Sequence, residues 1–198
     1  LYSDEPGNLS KIPAAKHSTA FVTRLQSIDG NRLTIERPLR IDLRPKWNPR
    51  VRIYAPTVTE CGIEDLAFEF PARKYGGHFS ELGFNAVAFS GVAHCWARNL
   101  LLTNADSGIH AGGRFCTIDG LRCETRDGVE AKGVFGHHGI SLTGNDNLLT
   151  HFDLRQRFIH DITVAGGAGN VASAGRGMDL NFDHHKRAPY ENVFTDID

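Results

Sequence analysis

The apolar positions of this chain keep the two-residue period of a β-strand and then break it at a recurring place. Five segments align on an apolar anchor: CGIEDLAFEF (Cys61 to Phe70), CWARNLLLTN (Cys95 to Asn104), CTIDGLRCET (Cys116 to Thr125), RFIHDITVAG (Arg157 to Gly166) and APYENVFTDI (Ala188 to Ile197). The anchors are Leu66, Leu100, Leu121, Ile162 and Val193. The inward set runs at minus five, minus three, zero and plus two, so parity changes just before the anchor. The residue there is Asp65, Asn99, Gly120, Asp161 or Asn192, the types that enter left-handed backbone at least cost. The template therefore predicts strand, sharp bend, strand.

A second repeat travels with the first: AVAFSG (Ala86 to Gly91), GIHAGG (Gly108 to Gly113) and GISLTG (Gly139 to Gly144). Val87 lies 13 residues before Leu100, and Ile109 lies 12 before Leu121. The 21 residues from Leu100 to Leu121 match one turn of a repeat solenoid. Ile140 plus 12 gives another anchor at Phe152, with His151 at its corner. Stacked coils place equivalent residues about 4.8 Å apart, so Cys61, Cys95 and Cys116 are expected to form an inward stack of free thiols used as small apolar groups. No Cys-x-x-Cys pair suggests a zinc site. Phe152 and Ile162 are too close for two full turns, and the segments 170–175 and 177–182 compete for one outward-face strand.

The expected fold is all-β: 61–198 forms parallel coils, preceded by a β-rich lead-in over 1–60 with a hairpin at Asp29-Gly30. Insertions fall at 71–85, with Tyr75-Gly-Gly-His78, and at 126–138. Loops of this kind on one flank usually build a binding surface. The chain has 198 residues, a net charge of -1 and 21 glycines. That balance gives no basic field for nucleic acid, and no apolar run reaches membrane-spanning length. The last template stops at Asp198 within a strand, which points to a C-terminal continuation or to another molecule covering that end.

These residues resemble the pectin-lyase-like superfamily, which contains polysaccharide lyases and glycoside hydrolases. The resemblance covers about 61–198 and rests on the G-I-x-x-x-G strand, the I-x-[DN]-L corner and the coil length. It implies a right-handed parallel β-helix with substrate on the outward face of the GIHAGG and GISLTG strands. Asn104-Ala-Asp106-Ser-Gly-Ile109 and Gly136-His-His138-Gly-Ile-Ser141 are similar to motifs of the polygalacturonase-type members. A serine interrupts the first and a histidine the second, and the paired Asp-Asp and the R-I-K are missing. That inverting mechanism is therefore not transferred, and the calcium cluster and arginine base of pectate lyases have no counterpart.

Two groups of residues carry candidate chemistry. With Ile109 and Ile140 inward, His110, Ser141 and Thr143 face outward on adjacent turns, and Asp106, His137 and His138 lie in the bends leading to them. Neighbouring imidazoles and a carboxylate suit general acid–base work or a metal. In the run from Met178 to His185, alternation buries Met178, Leu180 and Phe182 and leaves Asp179, Asn181 and Asp183 outward. His184, His185, Lys186 and Arg187 begin the next loop, where they could grip an anionic sugar or a divalent ion. Seven of the ten histidines lie between 110 and 185. His160, beside Asp161, has the opposite phase and is expected to be structural.

The pool is thus Asp106, His110, His137, His138, Asp179, Asp183, His184 and His185 for catalysis, with Ser141, Asn181, Lys186 and Arg187 for substrate. The expected function is a secreted carbohydrate-active enzyme, a polysaccharide lyase or glycoside hydrolase acting on an acidic or polar polysaccharide, with a divalent cation as candidate cofactor. The alternative is a non-catalytic β-solenoid, an adhesin or glycan-binding module that stacks end to end.

Overall fold

Sixteen short strands and no α-helix account for the regular structure of the described residues, which in this computed structural model are 19–126, 133–185 and 187–198. They fall into two units, divided between Ala55 and Pro56. In the first, Leu25–Asp29 pairs antiparallel with Arg32–Ile35 across Gly30 at φ 56, the turn expected at Asp29-Gly30. One turn of 3-10 helix follows at Pro45–Trp47.

In the second unit the chain passes back and forth between two parallel sheets. One sheet, called here the histidine sheet, contains Asn85–Phe89, Ser107–Ala111, Val134–Leu142, Arg157–Val164 and Phe182–His184 in that spatial order. The other, the corner sheet, begins with Gly62–Glu69, Trp96–Thr103 and Thr117–Glu124. It continues with the two short strands Leu148–Thr150 and Asp153–Leu154, then Val171–Gly177 and Val193–Ile197. Apart from the short pair Leu148–Thr150 and Asp153–Leu154, sequential strands of one sheet are separated by a strand of the other, and their parallel register shifts only between Val134 and Gly136. Val87, Ile109, Ile140, Ile162 and Phe182 form one row, while Leu66, Leu100 and Leu121 form another. The core lies between the sheets, where Leu102, Cys123, Ile140, Leu142, Leu149 and Ile162 are wholly buried.

Of the expected corner residues, Asp65, Asn99, Gly120 and His151 are left-handed, whereas Asp161 and Asn192 are not. Asp65, Asn99, Gly120, His151, Ala174 and Asp196 all have φ between 49° and 72° and occupy one column of the corner sheet. A second left-handed column, absent from the sequence template, holds Glu60, His94, Phe115, Asp146, Gly169 and Glu191. The residue after each is Cys61, Cys95, Cys116, Asn147, Asn170 or Asn192. No disulfide links the four cysteines; Cys95 and Cys116 are buried free thiols, whereas Cys61, expected inward with them, is exposed. Asparagine continues the column as a hydrogen-bonded ladder. Asn147 Nδ2 donates to Asn170 Oδ1 at 3.1 Å, and Asn170 Nδ2 to Asn192 Oδ1 at 2.9 Å. The same oxygens accept the backbone N–H of Asn147 and Asn170.

Two of the five template segments sit elsewhere than expected. Ile162 pairs with Ile140 in the histidine sheet, and Val193 pairs with Val171 upstream of its corner. A short apolar strand with an Asp or Asn before it reads alike in either sheet, so the local pattern could not separate them. The competing segments resolve accordingly, with Val171–Gly177 in the corner sheet and Phe182–His184 in the histidine sheet. Gly175 takes the place of an anchor because the ring of Phe152 fills the space a Cβ would need.

Candidate functional site

Equivalent residues of the histidine sheet are neighbours, and this brings distant imidazoles together. His138 stands two residues before Ile140 and His160 two before Ile162, and the two are in register. Their rings stack with centroids 5.0 Å apart. His137 stacks on His138 at 4.0 Å, His185 meets His160 at 5.7 Å, and His78 meets His137 edge-on at 4.4 Å. His110 lies 6.3 Å from His138. Six imidazoles from five stretches of chain thus make one continuous cluster. All are half-buried except His78, which is exposed.

Carboxylates flank the cluster on two sides. Asp183 Oδ2 lies 3.2 Å from His160 Nδ1 and 2.8 Å from His185 Nδ1, close ion-pair contacts without the alignment of a hydrogen bond. Glu81 Oε1 lies 3.3 Å from His137 Nδ1 and accepts the Tyr75 hydroxyl at 2.6 Å. Thr163 Oγ1 is 3.1 Å from His138 Nδ1. It belongs to a row in which His110, Ser141, Thr163 and Asp183 are successive register partners.

Burial sets the protonation of the inner rings. It lowers the pKa of His138 to about 4, with further lowering from His137, His160, His110 and His185. His110 is lowered by burial alone. For His137 burial also lowers the value, more than the nearby Glu81 raises it. His138 is therefore a neutral imidazole at neutral pH, with a lone pair available to a proton or a metal. Burial would raise Glu81, but the Tyr75 hydrogen bond and the His137 charge contribute to holding it below the ordinary value. The Tyr75 hydroxyl is raised, first by burial and then by Glu81.

The insertion 71–85 reaches the cluster because Asp106 holds it. Asp106 is fully buried; its Oδ2 accepts the N–H groups of Leu82 and Phe84 at 2.9 and 2.8 Å, and it is ion-paired with Arg73. Its backbone carbonyl accepts the His137 N–H at 2.7 Å. Its side chain tethers the loop that carries Tyr75, His78 and Glu81.

The other predicted residues divide. Ser141 is buried in the row beside His110. Asp179 is exposed and pairs with Arg157 at 2.7 Å. Asn181 is spent on backbone and on Asp161, to which its Nδ2 donates at 2.7 Å. His184 is in register with the buried Val164 and packs on Phe194 at 5.6 Å, away from the cluster. Arg187 is exposed beside Gly166, and Lys186 lies outside the described residues. His160, read as structural from its phase, is at the centre of the cluster. Its signal was the matching offset from Ile140 and Ile162; that of His78 and Glu81 was only their place in an insertion. Phe158 Nα is held by Asp161 Oδ1 at 3.1 Å, so this carboxylate fixes the bend that aims His160.

No protein-family model matches this chain, and neither the curated proteins nor the solved structures contain a significant match.

Proposed function

We propose that this protein is a right-handed parallel β-helix of the pectin-lyase-like type, acting outside the cell on an acidic polysaccharide, with the histidine cluster as its active site. The observation that carries the reading is the convergence of His110, His137, His138, His160 and His185, with Asp183, on one face of a parallel sheet. Successive passes repeat along the stacking direction, which is the direction a polymer would follow.

Of the two chemistries, elimination suits these donors better than hydrolysis. Glycoside hydrolysis ordinarily uses two carboxyl groups flanking the bond. Here Asp106 is committed to Arg73 and to backbone, and Asp183 and Glu81 each face an imidazole. In elimination a base removes the proton next to the uronate carboxylate, the bond to the leaving oxygen breaks, a carbon–carbon double bond forms, and the oxygen takes up a proton. His138 is assigned the base, oriented through Thr163. His185, held by Asp183, is assigned the proton for the leaving oxygen.

Replacing His138 or His185 by Ala should lower release of unsaturated product from a uronate polymer by at least about 100-fold, the lower range for acid–base catalysis. Product is read by ultraviolet absorbance and reducing-end assay. Undiminished turnover in both variants would reject the assignment.

A second reading, a non-catalytic module that stacks end to end, is favoured by a hollow of about 490 Å³ beside Val193–Ile197. Leu180, Phe182, Phe194 and Ile197 line it together with Asp179, Asp196 and Asp198. Concentration-dependent assembly in sedimentation, with no product from any polysaccharide, would select that reading instead.

A further inference from the structure

Three of the clustered imidazoles differ from the rest in how their nitrogens converge. One ring nitrogen from each of His78, His137 and His160 lies within 4.8 Å of the other two. These residues come from the 71–85 insertion and from two successive strands of the histidine sheet, so no local sequence motif unites them. We propose that His78, His137 and His160 bind one divalent transition-metal ion through three imidazole nitrogens, leaving a coordination position open to a ligand. The inference concerns the same cluster as the proposed active site but does not require that a polysaccharide be its substrate.

The surrounding charges support this independently. Glu81 stands at Nδ1 of His137 and Asp183 at Nδ1 of His160. A carboxylate is an acceptor only, so each favours its ring's proton on Nδ1 and leaves the lone pair on Nε2 free for a metal. The carboxylates stand where outer groups orient metal-binding imidazoles, at ion-pair distance and without hydrogen-bond alignment. Without a cation, converging lone pairs repel one another, and two carboxylates beside them add negative charge.

Nitrogen donors select the ion class. Calcium and magnesium take oxygen ligands, whereas imidazole suits zinc, copper and nickel. Zinc–nitrogen bonds of about 2.0–2.1 Å in a tetrahedron bring the nitrogens to roughly 3.3 Å from one another. The necessary closing falls to His78, which is exposed and preceded by Gly76 and Gly77, the latter at φ 103. Three protein ligands with a fourth position free is the arrangement of a catalytic rather than a structural zinc site. His138, whose ring stacks on both His137 and His160, stands beside these ligands.

The test uses the full chain, stripped with a chelator and titrated with zinc chloride by calorimetry, with metal content measured after dialysis. One zinc per chain is expected. His78→Ala and His160→Ala should each weaken binding at least tenfold, and Asp183→Asn by about 10–100-fold, as outer-shell substitutions do. His151→Ala, on the corner sheet, should leave binding unchanged and so exclude adventitious imidazole binding. Circular dichroism checks the fold of each variant, and cobalt substitution should give the visible absorption of a tetrahedral nitrogen site. Failure of the wild-type chain to bind zinc, or wild-type affinity in His78→Ala and His160→Ala, overturns the inference. Polysaccharide turnover is measured separately with and without chelator. Zinc binding without turnover rejects the lyase reading alone, and turnover without zinc binding rejects the metal site alone.

Discussion

A buried carboxylate can serve chemistry or structure, and its partners decide which. Asp106 shares the strand approach to His110 but spends one oxygen on two backbone N–H groups and pairs with Arg73. Asp106→Ala would leave the Arg73 charge largely enclosed, since its side chain is only 14% exposed. The expected cost is about 3 kcal/mol, the lower range for breaking a buried pair, measured by chemical denaturation. Loosening of the 71–85 loop should accompany it, visible as faster amide exchange at Leu82 and Phe84. Asp183 differs because both of its close partners are imidazoles. The sequence placed both carboxylates in one candidate pool, because residue type and approximate position are all it offers at this scale.

Between strands, the stabilising unit is the column of like residues. Asn170 is the middle rung of the asparagine ladder. Its side chain accepts from Asn147 and donates to Asn192 and to the Gly144 carbonyl at 3.1 Å. Asn170→Ala strands the buried Asn147 N–H and the Gly144 carbonyl, for an expected loss of about 2–3 kcal/mol in denaturation. The ladder went unread because cysteine occupies its first three rungs. Only alignment on the second left-handed column reveals one position filled by two residue types.

A further link between passes joins Asp153 to Arg176 and Arg155, each at 2.9 Å. Burial would raise the Asp153 pKa, but the two arginines outweigh it and hold the carboxyl below its ordinary value. A lowered folded pKa means stability present above the unfolded value of about 3.9 and lost as pH falls through the folded one. Asp153→Asn should therefore reduce wild-type stability at neutral pH. It should also flatten the part of the acid-unfolding profile lying below about pH 4. An unchanged profile would show that the link contributes nothing.

Across the whole second unit, burial rises from the first pass to the middle ones. Gly62–Glu69 is largely exposed, whereas Leu102, Cys123, Leu142 and Ile162 have no measurable exposure or nearly none. Stacked repeats draw much of their stability from neighbouring interfaces, so protection should follow the same gradient. Amide exchange is expected to be slowest in Thr117–Glu124 and Val134–Leu142, and faster by orders of magnitude in Gly62–Glu69. Uniform exchange through all passes would contradict this.

By itself the sequence determined the strand period, the left-handed corners at Asp65, Asn99, Gly120 and His151, and the rows joining Leu66 to Leu121 and Ile109 to Ile140. These follow from steric preference and side-chain alternation, which act over a few residues. Tertiary structure alone decided that Ile162 joins the histidine sheet and that Val193 pairs upstream of its corner, because a short apolar strand reads alike in each of these places. It alone carried the 71–85 loop to the histidines and put His78, His137 and His160 within reach of one another. Those placements depend on long-range pairing and on the buried Asp106 tether, and no spacing along the chain encodes a distance across it.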